Sequence, residues 1–253
     1  GAGDVNGDGF EDMLVGAPGP FTNDDTFGSS YVVFGKATGF DAHVDLSSLD
    51  GSNGFRLIGE SYDQAGKSVS SAGDVNGDGF GDLMMSGYMG TKVVFGRASG
   101  FSAEFDTATL DGSNGFRLKN IDPVHSISMA GDMNGDGFDD MIIPGCVIFG
   151  QASGFDATVD PANLDGSNGF RLEGPNSVVG NAGDVNGDGF DDVIVGAPFA
   201  YQNGSYSGIA YVVFGKGSDF DAVLDLDNLD GSNGFKLTGS DFESVGHVVS
   251  RAG

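Results

Sequence analysis

The stretch Gly3–Asp12, GDVNGDGFED, decides how this chain is read. Six of its ten residues are Gly or Asp. Three aspartates (Asp4, Asp8, Asp12) and one amide (Asn6) fall within nine positions. Like charges this close repel, which costs stability unless something positive sits among them. Nearly the same words return at Asp74–Asp82, Asp132–Asp140 and Asp184–Asp192, at spacings of 70, 58 and 52 residues. Self-similarity at such a period indicates stacked supersecondary units that share a core.

Other phrases recur in the same order. DMLVGAP (Asp12–Pro18) matches DLMMSGY, DMIIPG and DVIVGAP further on. YVVFGKATGF (Tyr31–Phe40) matches the segments that start at Lys92, Cys146 and Tyr211. LDGSNGFRL (Leu49–Leu57) matches those at Leu110, Leu164 and Leu229. SVSSAG, SISMAG and VVGNAG lead into the later Asp loops, and VVSRAG stands at the C-terminus. Each unit offers four short apolar runs bounded by Gly, Asn, Asp and Ser, which are strand and turn signals. One short helical turn fits Asp45–Gly54. Four strands per unit reads as an all-β chain of β-propeller blades; a β-solenoid has a shorter repeat. The expectation is a single domain over 1–253, with repeats near 1–70, 71–128, 129–180 and 181–253. Sixteen of the 21 Phe occupy four repeat positions, those of Phe10, Phe34, Phe40 and Phe55. They are expected in the core, with the Phe40 type partly exposed near loops.

Composition excludes some partners. The formal net charge is -26, with 11 Lys and Arg in 253 residues. Nucleic-acid backbones and anionic membrane surfaces both require basic contacts, so a cation is the natural partner. No run of eighteen apolar residues, signal peptide or lipidation signal is present, so no membrane insertion is expected. The chain starts within one repeat and stops where the next Asp loop would begin, as a fragment or processed piece would.

The Asp loop suits a hard divalent cation. Ca²⁺ takes six to eight oxygen ligands in flexible geometry. Asp4, Asn6 and Asp8 at alternate positions can point oxygens at one centre, the carbonyl of Phe10 can add another, and Asp12 closes the ring. The same set recurs as Asp74, Asn76, Asp78, Phe80 and Asp82; as Asp132, Asn134, Asp136, Phe138 and Asp140; and as Asp184, Asn186, Asp188, Phe190 and Asp192. These positions match the first nine of an EF-hand loop. The bidentate Glu at position twelve is replaced by Val15, Met85, Ile143 and Val195, so the loop runs into a strand and affinity should be modest, about 10⁻⁴ M. About four Ca²⁺ per chain are expected. Mg²⁺ suits the loop less, and Zn²⁺ lacks Cys or His nearby. The alternative is an acidic turn that only reverses the chain.

This order of AG-DVNGDGFxD, an apolar strand, GAP and a VVFG strand resembles the FG-GAP repeat of integrin α-subunit β-propellers. Bacterial secreted FG-GAP proteins are similar in the wording of VVFGKATGFDAHVDLSSLDGSNGFRL. The resemblance spans essentially the whole chain. It implies a propeller of four-stranded blades, each with a Ca²⁺ between its first and second strands, and a role in extracellular or cell-surface adhesion and recognition. The family generally closes with seven blades. Four repeats are present here, and the connection at Gly19–Ser30 shrinks in the second and third. A closed four-bladed ring is the expectation, its C-terminal strand completing the first blade.

No catalytic constellation emerges. His43, His125 and His247 lie at unrelated repeat phases, Cys146 opens a strand as a small buried residue, and no G-x-S-x-G elbow occurs. The chain is expected to be a binding or scaffolding module and not an enzyme. Ligand contacts are expected on the long connections, at Asp24, Asp25, Tyr201 and Tyr206, for an extracellular protein or a glycan. Asn203 opens a formal N-glycosylation acceptor. The rival readings are a lectin-like carbohydrate-binding module, a subunit of a calcium-dependent surface assembly or filament, and a hydrolase.

Overall fold

A computed structural model of the chain describes residues 1–19, 27–119, 126–152, 154–202 and 204–251. Among them are twenty β-strands. In chain order they begin β1 (Met13–Ala17), β2 (Ser29–Val33), β3 (Gly54–Ile58), β4 (Ser68–Gly73), β5 (Asp82–Gly87), β6 (Gly90–Val94), β7 (Glu104–Asp106) and β8 (Gly115–Leu118). Then follow β9 (Ser128–Gly131), β10 (Asp140–Ile143), β11 (Cys146–Ile148), β12 (Thr158–Val159), β13 (Gly169–Glu173) and β14 (Val178–Gly183). The last are β15 (Asp192–Ala197), β16 (Tyr201–Gln202), β17 (Ser205–Tyr206), β18 (Ile209–Val213), β19 (Val223–Asp225) and β20 (Gly234–Thr238).

The chain divides into two compact units, Gly1–His125 with Ala152–Val159, and Ser126–Gln151 with Asp160–Gly253. The first unit holds the sheets β1-β2-β3-β7 and β12-β8-β6-β5-β4. The second holds β19-β13-β11-β10-β9 and β14-β15-β18-β20, plus the hairpin β16-β17. The fold is thus all-β, with four sheets of four or five strands, one per repeat.

The long strands of each sheet form an antiparallel meander, as the short apolar runs require. The trimmed connections become tight hairpins: β10 and β11 are joined by Pro144-Gly145, with Ile143 opposite Cys146. Pro presets the first turn residue, and Gly145 takes the left-handed φ of 98° that the second demands. The expected helical turn appears in every repeat as a 3-10 turn, Leu46–Ser48, Thr107–Thr109, Pro161–Asn163 and Leu226–Asn228. Each is capped by the preceding Asp (Asp45, Asp106, Asp160 or Asp225), whose side chain accepts an amide hydrogen bond.

One element was not anticipated. The short strands β7, β12 and β19 pair in parallel with β3, β8 and β13, strands of the preceding repeat. Each repeat therefore adds an outer strand to the sheet before it. The aromatic residues follow the same logic. Phe101 stacks on Phe55 at 4.7 Å between ring centroids, Phe155 on Phe116 at 4.3 Å and Phe220 on Phe170 at 5.0 Å. Phe34, Phe95 and Phe149 close each trio edge-on or tilted. The Phe55 and Phe34 types are thus core residues, as expected. The Phe10 type is not: Phe10 is 41 % exposed, and its counterparts are partly buried. The rings of Phe80 and Phe190 cover a neighbouring loop instead.

Within the first unit the connection after β3 is fastened to the next sheet. The carboxylate of Asp63 pairs with the ammonium of Lys92 on β6, both fully buried, and accepts the Met89 amide at 2.6 Å. A buried pair contributes little when intact but leaves a naked charge when broken. Asp63→Ala is expected to cost about 3–5 kcal/mol in urea denaturation. Lys92→Met should cost less, because Asp63 keeps the Met89 amide.

Candidate functional site

The second, third and fourth Asp loops each link the first two strands of a repeat, as the sequence predicts, and the first is closed by a bridge between Gly3 and Asp12 and leads into β1. β4 runs into the loop at Asp74, and β5 leaves it at Asp82. A register shift between Ser71 and Gly73 kinks the entering strand, and the third and fourth repeats shift at the same place. Such a bulge re-aims the chain at a sheet edge.

The first carboxylate organises the loop. Asp4 Oδ1 accepts the amides of Gly7 at 2.7 Å and Asp8 at 3.0 Å, and Oδ2 accepts that of Gly9 at 2.8 Å. Asn6 Oδ1 accepts the Asp8 amide at 2.9 Å, and Asp8 Oδ1 that of Phe10 at 2.9 Å. The Asn6 amide group donates to Asp8 Oδ2 at 3.0 Å. The pattern recurs around Asp74, Asp132 and Asp184. Backbone amides therefore curl toward the carboxylates and hold Asp4, Asn6 and Asp8 close together on an exposed loop.

The last carboxylate does something different. Asp12 Oδ2 accepts the Val5 amide at 2.9 Å, and Oδ1 accepts the Gly35 amide, after β2, at 2.7 Å. Asp82 does the same for Val75 and Gly96, Asp140 for Met133 and Gly150, and Asp192 for Val185 and Gly215. All four are at most 1 % exposed. Burial pushes the carboxyls of Asp82 and Asp140 up to about 8, against the lowering effect of the two amides. Asp12 and Asp192 shift the same way for the same reason. The neighbouring loop carboxylates add to the rise, Asp78 and Asp74 in the case of Asp82.

Successive loops also touch. The Gly81 amide donates to the Asp4 carbonyl and the Arg97 amide to that of Val5. Likewise the Asp191 amide donates to the Asp132 carbonyl and that of Lys216 to Met133. The Phe80 ring lies where a Cβ on Gly7 would stand, and Phe190 does the same at Gly135. Gly7, at φ 73°, is thus required twice, by its backbone angle and by the ring packed on it.

By donor type alone these loops match a hard cation. Each is all oxygen, and a carboxylate oxygen that accepts one amide keeps another lone pair. Among the described residues no group of three or more His, Cys, Asp or Glu side chains is arranged to hold a metal ion. The amides that take Asp4 and Asp8 oxygens instead prearrange the loop.

The sequence reading missed a cleft beside each outer Asp loop. In the first repeat a space of about 340 Å³ is lined by Asp8, Phe40, Asp41, His43 and Asn53. In the fourth a space of about 520 Å³ is lined by Asp188, Phe220, Asp221, Asp225 and Asn233. Its signal was the DGSN turn, whose Asp takes the hydroxyl and amide of the Ser two residues on, as Asp50 does from Ser52. Those bonds hold the Asp50, Asp111, Asp165 and Asp230 carboxyls below the usual range.

The remaining candidates separate. Tyr201 and Tyr206 face each other across the β16-β17 hairpin, ring centroids 5.0 Å apart, both at least 60 % exposed. Asp24, Asp25, His125 and Asn203 lie outside the described residues. Cys146 is buried.

With this geometry described, similarity to known proteins is informative. The FG-GAP repeat model matches residues 1–33 and 177–213. Two stretches of the chain, one near each end, thus match the FG-GAP repeat. It is 57% identical over 37 residues to integrin alpha ina-1 of Caenorhabditis elegans, covering 13% of this chain and 3% of that protein. It is 39% identical over 80 residues to integrin alpha-3 of Cricetulus griseus and of Mus musculus, covering 32% of this chain and 7% of those proteins. The chain therefore spans a small part of these relatives. No helix among the described residues is long and apolar enough to cross a membrane.

Burial pushes the Cys146 thiol up to about 12, so its nucleophilic thiolate is scarce near neutral pH. The native chain is expected to resist iodoacetamide at pH 8 and to label once unfolded in guanidinium. Rapid labelling of the native chain would reopen Cys146 as a nucleophile.

Proposed function

We propose that this chain is a calcium-binding β-propeller module, acting outside the cell in adhesion or recognition and not as an enzyme. The observation that carries this reading is the fourfold Asp loop, whose hydrogen-bond scaffold is rebuilt at each repeat. The proposed ligands are the side chains of Asp4, Asn6, Asp8 and Asp12, the Phe10 carbonyl, and their counterparts in the other three loops. Calcium would supply charge neutralisation where carboxylates crowd, and so bind folding to the ion. The loop carboxylates would hold the ion, and the buried Asp12 type would tie its position to the sheet. In the propeller reading each four-stranded sheet is a blade. The similarity to integrin α chains supports an adhesion role and an extracellular or surface setting.

A carbohydrate-binding role is the second reading. The exposed Tyr201–Tyr206 pair favours it, since amphipathic rings are suited to recognition surfaces.

Native mass spectrometry of the chain in calcium, and after chelation, tests the main reading. About four ions per chain are expected, as one per loop, and chelation should lower the melting temperature. Chains without bound calcium would leave the loops as acidic turns. Asp8→Ala should remove one ion, and calcium titration calorimetry should then show one site fewer.

A further inference from the structure

We infer that the Asp loops work as coupled pairs, the first with the second and the third with the fourth, so that ordering one loop of a pair tightens the other. The effect on cation affinity rests on the calcium reading above, whereas the coupling itself rests on contacts between the loops. Each pair lies within one compact unit.

A continuous path of hydrogen bonds joins the two buried carboxylates of a pair. Asp12 holds the Val5 amide at 2.9 Å. The Val5 carbonyl in turn accepts the Arg97 amide at 2.9 Å. Arg97 follows Gly96, whose own amide is held by Asp82 at 2.9 Å. Asp82 also holds the Val75 amide at 3.0 Å, at the start of its own loop. The second unit repeats this path position for position. Asp140 holds the Met133 amide at 2.8 Å, and the Met133 carbonyl accepts the Lys216 amide at 2.8 Å. Asp192 then holds the amides of Gly215 at 2.9 Å and Val185 at 2.8 Å. The crossing is backbone against backbone. A Cβ on Gly96 would stand 2.8 Å from the Val5 carbonyl oxygen, and one on Gly215 2.7 Å from that of Met133.

A second link runs through the loop turns. The Gly81 amide donates to the Asp4 carbonyl at 2.8 Å, and the Asp191 amide to the Asp132 carbonyl at 3.1 Å. In the second unit the Asp191 carboxylate returns a bond, accepting the Asp132 amide at 3.2 Å. The Phe80 ring lies over Gly7, and the Phe190 ring over Gly135. Those two glycines donate their amides to Asp4 and Asp132, both at 2.7 Å. The ring of one loop thus rests on the turn that shapes the oxygen set of the other.

Closing a loop costs backbone conformational entropy. Once the second loop is closed, the Gly81 and Arg97 amides stand in place for the first to bond, so its closure costs less. A shared ordering cost of this kind is a coupling free energy, and it acts equally in both directions. A cation that favours the closed form of one loop therefore raises affinity at its partner.

Amide hydrogen exchange followed by NMR tests the coupling with calcium absent. Phe80→Ala removes the ring over the first loop and keeps the Phe80 carbonyl. Exchange at Gly7, Asp8 and Gly9 should quicken about fivefold or more, while Gly135, Asp136 and Gly137 keep the parent rate. Phe190→Ala should do the reverse, and Phe80→Leu, which keeps bulk over Gly7, should fall nearer the parent. With calcium present, Asp78→Ala in the second loop should raise the calcium concentration that half-protects the Gly7 amide, again about fivefold or more. Asp8→Ala should shift the Gly79 amide of the second loop by the same factor. Phe80→Ala exchanging like the parent, or quickening all four loops alike, would overturn the inference. So would a first-loop calcium midpoint that ignores Asp78→Ala. A chain that binds no calcium would sink the calcium reading and the affinity effect with it, and the exchange comparison would still decide the coupling.

Discussion

One buried carboxylate per repeat holds this architecture together. Asp12, Asp82, Asp140 and Asp192 each take an amide from the start of their own loop and another from the residue after the second long strand of the sheet. A single side chain thus closes the loop and fastens it to the meander. An Asn could accept only through one oxygen and would present a donor to the other amide. The cost is a charge taken out of water beside further carboxylates, visible in the raised Asp82 and Asp140 carboxyls. A cation in the loop would offset that cost, which is the physical reason for proposing one there.

The loop and the frame consequently form one mechanical unit. Asp4 gathers three amides of its own loop, while the carbonyls of Asp4 and Val5 accept amides from the next repeat. Phe80 seals the contact over Gly7. Whatever stiffens one loop is felt at the next, because packed elements transmit strain better than they absorb it.

Much of this was legible in the sequence. The repeat phase located every long strand, since short apolar runs between Gly and Asp turns leave few alternatives. One short helical turn was legible within Asp45–Gly54, but not that an Asp caps it and its three counterparts. What escaped were the elements made by neighbours. β7, β12 and β19 are too short to announce themselves; EFD and TV become strands only because the preceding sheet offers an edge. The Phe10 type looked like core because it recurs with the core phenylalanines. Its ring in fact serves the adjacent loop, and spacing within one repeat carries no record of packing across two. In the site, composition identified the oxygen set, but not that the fourth Asp would be buried on two amides.

Variation among the repeats then acquires a physical meaning. The second and third repeats shorten the connection between their two central strands to Tyr88-Met89 and Pro144-Gly145. The fourth keeps it long enough to raise a hairpin, pinned where the Ser205 hydroxyl donates to Asp241 at 2.8 Å. The tether lets Tyr201 and Tyr206 stay exposed without leaving the hairpin free to collapse onto the sheet. Repetition builds the frame, and the departures from it fall at the far end of the sheet from the Asp loops. A repeat scaffold of this construction keeps its Asp loops uniform while one connection is free to change, so variation in that connection does not disturb what holds the sheets together.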